Sequence, residues 1–139
     1  LDECMDIFSI AWSDWEHLIP QEIHLVQKTK MINNLIETDI VTSVRPENLR
    51  QIKLWLDYHK IKYNELIQSN EKHKLDYDIY IDDASRNATK ILEAGKKCLL
   101  YNQRWNRDLP NLVKGIGNGE IIRVYDLYHA IDEIRKNVA

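Results

Sequence analysis

The sequence predicts an α/β protein whose core is a doubly wound parallel sheet. From residue 22 onward, short apolar runs alternate with amphipathic segments of helical spacing, and Gly or Pro residues separate many of them. Such alternation places helices on both faces of a parallel sheet. The length of 139 residues suits one domain with a core of its own.

Apolar spacing and capping residues define the individual elements. Residues 1–19 carry apolar side chains three and four apart, which predicts an amphipathic helix that Pro20 ends. Residues 102–119 are expected to form a long loop, and Gly95 and Asp126 are expected to cap helices. The remaining elements are expected at 22–37 (helix), 39–43 (strand), 46–58 (helix), 65–68 (strand), 78–81 (strand), 84–94 (helix), 97–101 (strand), 121–124 (strand) and 127–138 (helix).

Composition argues against several classes of protein. The net charge is −3 and no basic run is present, so bulk nucleic acid is not an expected partner. No apolar run is long enough to span a membrane, and no signal peptide is expected. Cys4 and Cys98 lie in no metal-binding or redox motif. They are expected to be reduced core thiols, which favours a cytoplasmic location.

An acid pair is the most informative feature of the chain. The apolar run that ends at Ile81 leads directly into Asp82 and Asp83, and a helix follows at once. Ligands of open α/β sheets bind at the carboxyl ends of strands. Two adjacent carboxylates repel each other and favour a cation such as Mg²⁺ beside them. A simple helix cap is the alternative, since Asp is a preferred capping residue.

Two further polar groups precede the acid pair. Thr42 and Ser43 end an earlier strand just before the helix that begins at Pro46, where hydroxyls, N–H groups and the helix dipole can bind phosphate oxygens. Lys72, with Lys74 close by, is placed to neutralise a phosphate and developing negative charge. Taken singly, these residues also fit a serine cap and a solvated charge run. Hydroxyl, lysine and acid pair in this order form a joint signal for phosphate chemistry.

This ordered set resembles motifs II, III and IV of the haloacid dehalogenase-like superfamily. The closer similarity is to the nucleotidase branch related to 5'(3')-deoxyribonucleotidases. It covers residues 22–139 and is carried by Asp39–Ser43, Lys72, Tyr77–Asp83, Asn87, Leu99–Arg107 and Ile122–Val124.

The resemblance implies a fold and an activity. Residues 21–139 would form a Rossmannoid three-layer core, and residues 1–20 would be the end of a helical cap. The implied activity is that of a Mg²⁺-dependent phosphatase acting on a small phosphomonoester, such as a nucleoside monophosphate, through an aspartyl-phosphate.

The resemblance also implies a role for each site residue. Lys72 would be catalytic and would bridge the phosphate and the nucleophile, with Lys74 as the fallback. Thr42 or Ser43 would bind phosphate oxygens together with Lys72. Asp83 would bind Mg²⁺ directly or through water, and Asp82 would support it as a catalytic and metal-binding residue.

The superfamily's first motif, an apolar strand followed by Asp-x-Asp, has no clear counterpart. Asp14-Trp15-Glu16 is the nearest imitation, but it lies on the amphipathic helix pattern and no glycine follows it. We therefore expect the nucleophile upstream of Leu1, which would leave the strands at 39–43 and 78–82 bordering a gap.

Other interpretations remain open at this point. One is a non-catalytic domain that binds phosphate, a metal or a protein partner, and another is a plain structural or interaction domain. The apolar stripe of residues 1–19 could pack on a second copy and form a homo-oligomer. Trp105 and Arg107 lie on the punctuated loop and suggest a conformational role near the site, with loop anchoring as the simpler alternative.

Overall fold

The computed structural model describes residues 22–138, and contacts divide them into two compact units with the boundary after Asn70. The helix expected over residues 1–19, the cap remnant, Asp14 and the domain boundary expected after residue 20 lie outside the described residues. No helix within 22–138 is long and apolar enough to cross a membrane.

Over its described residues 22–70, the first unit contains two helices and one pair of parallel strands. Ile40 pairs with Leu66 and Thr42 with Gln68. A small core forms where Ile52 and Leu56 pack with Ile61, as the helical spacing predicts. The elements are α1 (Leu25–Leu35), β1 (Ile40–Thr42), a 3-10 turn (Pro46–Asn48), α2 (Leu49–Tyr58) and β2 (Leu66–Gln68).

The second unit contains a four-stranded sheet with the order β3-β4-β6-β5. The first three strands are parallel, and β5 runs antiparallel to β6. The elements are a 3-10 turn (Lys72–Lys74), β3 (Ile79–Asp82), α3 (Ser85–Glu93), β4 (Lys97–Tyr101), a 3-10 turn (Arg104–Asn106), β5 (Leu112–Lys114), β6 (Glu120–Val124) and α4 (Leu127–Val138).

The core of the second unit lies between α3 and its sheet. Ala88 and Ile91 of α3 pack with Cys98, Leu100 and Ile121 of the sheet, and all five are completely buried. Burial raises the pKa of the Cys98 thiol far above its ordinary value. The prediction that Cys98 is a core thiol is therefore confirmed, and Cys4 lies outside the described residues.

The expectation of one continuous loop over residues 102–119 is wrong. Leu112–Lys114 pairs with β6, and a turn joins the two strands, in which the N–H of Gly115 donates to the carbonyl of Gly119 and the N–H of Gly119 donates to the carbonyl of Ile116. The strand gave no clear signal because it is only three residues long and its apolar residues Leu112 and Val113 are adjacent rather than alternating. The sheet of this unit is mixed rather than wholly parallel.

Capping residues end or begin the helices as expected. Gly95 follows α3 with a φ of +77°, a left-handed conformation that ends helices and suits glycine. Asp126 accepts the N–H of His129 at 2.8 Å and caps α4. β3 pairs with β4 alone among the described strands, so the acid pair lies at the carboxyl end of an edge strand.

Candidate functional site

Asp82, the last residue of β3, is the best-connected acid of the site. Its side chain is only 6% exposed. One carboxylate oxygen, Oδ1, accepts the N–H of Ala84 at 2.9 Å. The other, Oδ2, lies 3.2 Å from the amide nitrogen of Asn87 and 3.4 Å from the ammonium of Lys72. Asp82 therefore joins the end of β3 to the first turn of α3 and to a cation.

The two candidate lysines have different surroundings. The Lys72 side chain is 19% exposed and pairs with Asp82. Lys74 lies on the same 3-10 turn, but its side chain is 64% exposed and pairs with Glu71 at 3.0 Å. The turn directs the first lysine toward the acid pair and leaves the second in solvent. The geometry therefore favours Lys72 over its fallback as the functional lysine.

Asp83 is exposed and differs electrostatically from its neighbour. The pKa of Asp83 is raised above the ordinary aspartate value. The larger cause is partial burial of its carboxylate, and the smaller one is the negative charge of Asp82. Within residues 22–138 no other side chain donates a hydrogen bond to this carboxylate. The negative charge of Asp82 is therefore balanced by nearby donors and a cation, whereas that of the neighbouring Asp83 is balanced less well.

A loop of the second unit contacts the peptide that follows the acid pair. The indole N–H of Trp105 donates to the carbonyl oxygen of Asp83 at 3.1 Å, and the side-chain amide of Asn106 donates to the same oxygen at 2.9 Å. Asp108 accepts the hydroxyl hydrogen of Ser85, the first residue of α3, at 2.6 Å. This contact also fits loop anchoring, so a conformational role for Trp105 and Arg107 near the site stays a prediction.

Asn106 and Arg123 lie in segments that carry the resemblance, but no role was expected for either of them or for Asp108. Arg123 is 5% exposed and binds the loop through its guanidinium. A signal was present, since a lone arginine interrupts the apolar run Ile121–Val124 of β6. Asn106 and Asp108 lie among other polar loop residues and carry no comparable pattern.

Thr42 and Ser43 belong to the first unit. Thr42 ends β1, and its hydroxyl accepts the N–H of Val44 at 3.3 Å. Ser43 follows it and is exposed. The contact of Thr42 is a local turn bond, so a role of either hydroxyl in phosphate binding stays a prediction.

A family model described as "5' nucleotidase, deoxy (Pyrimidine), cytosolic type C protein" matches residues 30–115, more than half of the chain. The chain belongs to this family. The match includes the hydroxyl, lysine and acid segments together with Trp105 and Asn106, whereas Arg123 lies beyond it. It supports the resemblance to the nucleotidase branch of the haloacid dehalogenase-like superfamily. No curated protein and no solved structure showed significant similarity to the chain.

The donor set of this nucleotidase-family chain fits Mg²⁺ in part. Mg²⁺ is commonly bound through one or two carboxylates, with waters and substrate phosphate completing its shell. Asp83 supplies an exposed carboxylate at a strand end, and partial burial and the charge of Asp82 raise its pKa. Among residues 22–138 there is no cluster of three His, Cys, Asp or Glu that could enclose a metal. The described acids therefore suit an open, hydrated Mg²⁺ site rather than a closed one.

Proposed function

We propose that this protein is a Mg²⁺-dependent phosphatase for small phosphomonoesters, with nucleoside monophosphates as the favoured substrates. The observation that carries the proposal is the contact between Lys72 and Asp82, with the exposed Asp83 next in the chain. Membership of the nucleotidase family supports the reaction class. The cytosolic type named for that family supports a cytosolic location as part of the same proposal.

Each residue of the acid segment has a distinct task in this proposal. Asp82 orients the ammonium of Lys72 and the amide of Asn87, because its carboxylate contacts both. The oriented ammonium binds a phosphate oxygen and stabilises the negative charge that develops in the transition state. Asp83 would hold Mg²⁺, which would supply positive charge against the bound phosphate.

Two further parts of the proposal rest on the resemblance and on motif order. Thr42 and Ser43 bind phosphate oxygens in it, so Thr42→Ala and Ser43→Ala should raise KM. An aspartate attacks phosphorus, the ester P–O bond breaks and the alcohol leaves with a proton; water then hydrolyses the aspartyl-phosphate to release phosphate. None of the strands within 22–138 ends in Asp-x-Asp, and we assign the nucleophile to no described residue.

Phosphate release by the full-length protein tests the proposal. Nucleoside 5'-monophosphates and p-nitrophenyl phosphate are supplied with Mg²⁺ or with EDTA. Turnover should require Mg²⁺, and Asp83→Asn should lower it by about 100-fold or more. Absence of turnover with every phosphomonoester would contradict the phosphatase. Stabilisation by Mg²⁺ plus phosphate without turnover would support the non-catalytic binding domain instead.

A homo-oligomer formed through residues 1–19 stays a separate prediction. Sedimentation of the full-length protein over a range of concentrations measures it. A monomer at every concentration would contradict it.

A further inference from the structure

One peptide unit beside the acid pair is held from two sides. The unit between Asp83 and Ala84 has its carbonyl oxygen bound by Trp105 and Asn106, and its N–H bound by the carboxylate of Asp82. The carbonyl and the N–H of a trans peptide point in opposite directions. These three hydrogen bonds therefore fix the rotation of the peptide plane that links the acid pair to α3.

Asn106 is the central member of this arrangement. Its side chain is completely buried, and its amide group donates to the carbonyl oxygens of Asp83 and Tyr101 at 2.9 and 2.7 Å. Its side-chain oxygen accepts the N–H of Gln103 at 3.2 Å and an N–H of Arg123 at 2.6 Å. With two donors and two acceptor contacts used, the amide has one defined orientation.

Arg123 fixes that orientation through a buried guanidinium. Its nitrogens donate at 2.6–3.0 Å to side-chain oxygens of Asn102, Asn106 and Asn111 and to the carbonyl oxygens of Asn106 and Leu109. These five contacts match the five N–H donors of the group. Each acceptor is neutral, and no carboxylate of the described residues pairs with Arg123.

This occupancy indicates how Arg123 acts. A guanidinium with all five donors used has none left for a phosphate oxygen, so Arg123 is not an anion site. Burying a cation is costly unless every donor is satisfied. A charged donor also strengthens the hydrogen bonds of the amide that accepts from it. Arg123 therefore influences the acid pair through Asn106.

We propose that Asn106, held by Arg123, is a positioning residue for Asp82 and Asp83. It fixes the Asp83–Ala84 peptide, and the peptide N–H in turn fixes the carboxylate of Asp82 that contacts Lys72. The consequence for metal affinity rests on the proposed function, whereas the positioning itself does not. Trp105, which is 56% exposed, is the second donor to the same carbonyl.

Hydrogen exchange at the Ala84 amide measures the positioning without any ligand. Asn106→Asp removes the hydrogen bonds that the amide donates to the carbonyls of Asp83 and Tyr101, and it keeps an oxygen for Arg123. The Ala84 amide should exchange about tenfold faster, as expected for one lost hydrogen bond. Trp105→Phe removes the other donor from an exposed side chain and should act in the same direction. Asn111→Ala removes a different acceptor of Arg123 and should change Ala84 exchange by less than about threefold.

Amide exchange of Leu100 in the buried β4 strand reports on general loosening. An effect at Ala84 with Leu100 unchanged supports the proposal. Unchanged Ala84 exchange in both Asn106→Asp and Trp105→Phe would overturn it, and so would an equal effect of Asn111→Ala.

Calorimetric titration with Mg²⁺ tests the functional consequence. Asn106→Asp should bind Mg²⁺ about tenfold more weakly than wild type, the usual effect of losing a hydrogen bond that orients a ligand. Faster exchange at Ala84 with wild-type Mg²⁺ affinity would overturn the link between the peptide and the metal. A wild-type protein that neither binds Mg²⁺ nor releases phosphate would overturn the proposed function, and Ala84 exchange would still decide the positioning.

Discussion

The ammonium of Lys72 lies 3.4 Å from Oδ2 of Asp82 and joins the turn before β3 to the last residue of that strand. The carboxylate is nearly buried, so water screens this contact less than it screens a surface pair. Asn87 contacts the same oxygen from α3. Lysine, acid and amide from three elements thus converge at the carboxyl end of β3.

Replacing Lys72 should impair phosphate release far more than replacing Lys74. Lys72→Met removes the cation beside Asp82, and we expect kcat to fall by about 100-fold or more. Lys74→Met is the matched variant, because that lysine is solvent-exposed and pairs with Glu71. Its kcat should stay within about twofold of wild type, since exposed pairs contribute little. An equal loss in both variants, measured by steady-state phosphate release, would contradict the assignment.

Asp83→Asn should stabilise the protein without Mg²⁺, and the gain should depend on pH. Partial burial and the charge of Asp82 raise the pKa of Asp83 in the folded protein above its ordinary value of 3.8. At pH values between the unfolded and the folded pKa, the folded protein therefore binds more protons than the unfolded chain. The Asp83 carboxylate therefore lowers the free energy of unfolding as pH rises through the range between these two pKa values. The free energy of unfolding of the variant should exceed that of wild type by less than about 1 kcal/mol at pH 7 in EDTA, because solvent screens the charge. The difference should be smaller at about pH 3, where Asp83 is mostly protonated in both states.

Urea denaturation at both pH values measures that gain. Asp76→Asn is the opposing control, because a hydrogen bond from Lys96 lowers the pKa of Asp76 and its loss should destabilise at neutral pH. Asp83→Asn should also lose the stabilisation that Mg²⁺ gives the wild-type protein. Destabilisation of Asp83→Asn at pH 7 in EDTA would show that its carboxylate has a partner.

Arg123→Met should destabilise the second unit strongly. The change removes all five hydrogen bonds of the guanidinium, and the acceptors on Asn102, Asn106 and Leu109 belong to buried or half-buried residues, so we expect a loss of about 3 kcal/mol or more. Arg107→Met alters an exposed arginine of the same loop, and its free energy of unfolding should stay within about 0.5 kcal/mol of wild type. Urea denaturation measures both, and similar losses would mean that burial of Arg123 matters little.

Gly119→Ala should destabilise the turn between β5 and β6. An added Cβ would lie 2.7 Å from the carbonyl oxygen of Leu92 and 3.0 Å from that of Ile116, and both are backbone atoms. We expect a loss of about 2–3 kcal/mol from this overpacking. Gly117 has a φ of +59°, and a Cβ added there meets no atom within 4 Å. Gly117→Asn should therefore lower the free energy of unfolding by about 1 kcal/mol or less, since Asn tolerates that conformation. Equal changes in melting temperature would contradict a steric role for Gly119.

Strong local patterns predicted most of the fold. The strand Lys97–Tyr101 has the expected bounds, because its central residues Cys98–Leu100 are buried and apolar. The strand predicted at 78–81 lies one residue further on and includes Asp82, whose carboxylate forms the turn before α3. β5 was missed because three residues, of which the two apolar ones are adjacent, are too few to show an alternating pattern.

Some residues of the candidate site could likewise be predicted from local sequence patterns, and others could not. The acid pair could be predicted because an apolar run leads straight into two aspartates. The choice between Lys72 and Lys74 could not, since both stand in one polar segment and only the turn separates their directions. Asn106 and Arg123 meet across 17 positions of sequence, a separation over which local pattern carries no information.

The sequence alone determined the alternation of strands and helices, the helix caps and the place of Asp82 and Asp83 at a strand end. These depend on side-chain periodicity and on local hydrogen bonds within a few residues. Tertiary structure decided which lysine meets the acid pair, that β5 closes the sheet, and that Arg123 holds Asn106 against the Asp83 carbonyl. Those outcomes require backbone groups distant in sequence to satisfy one another in a buried space.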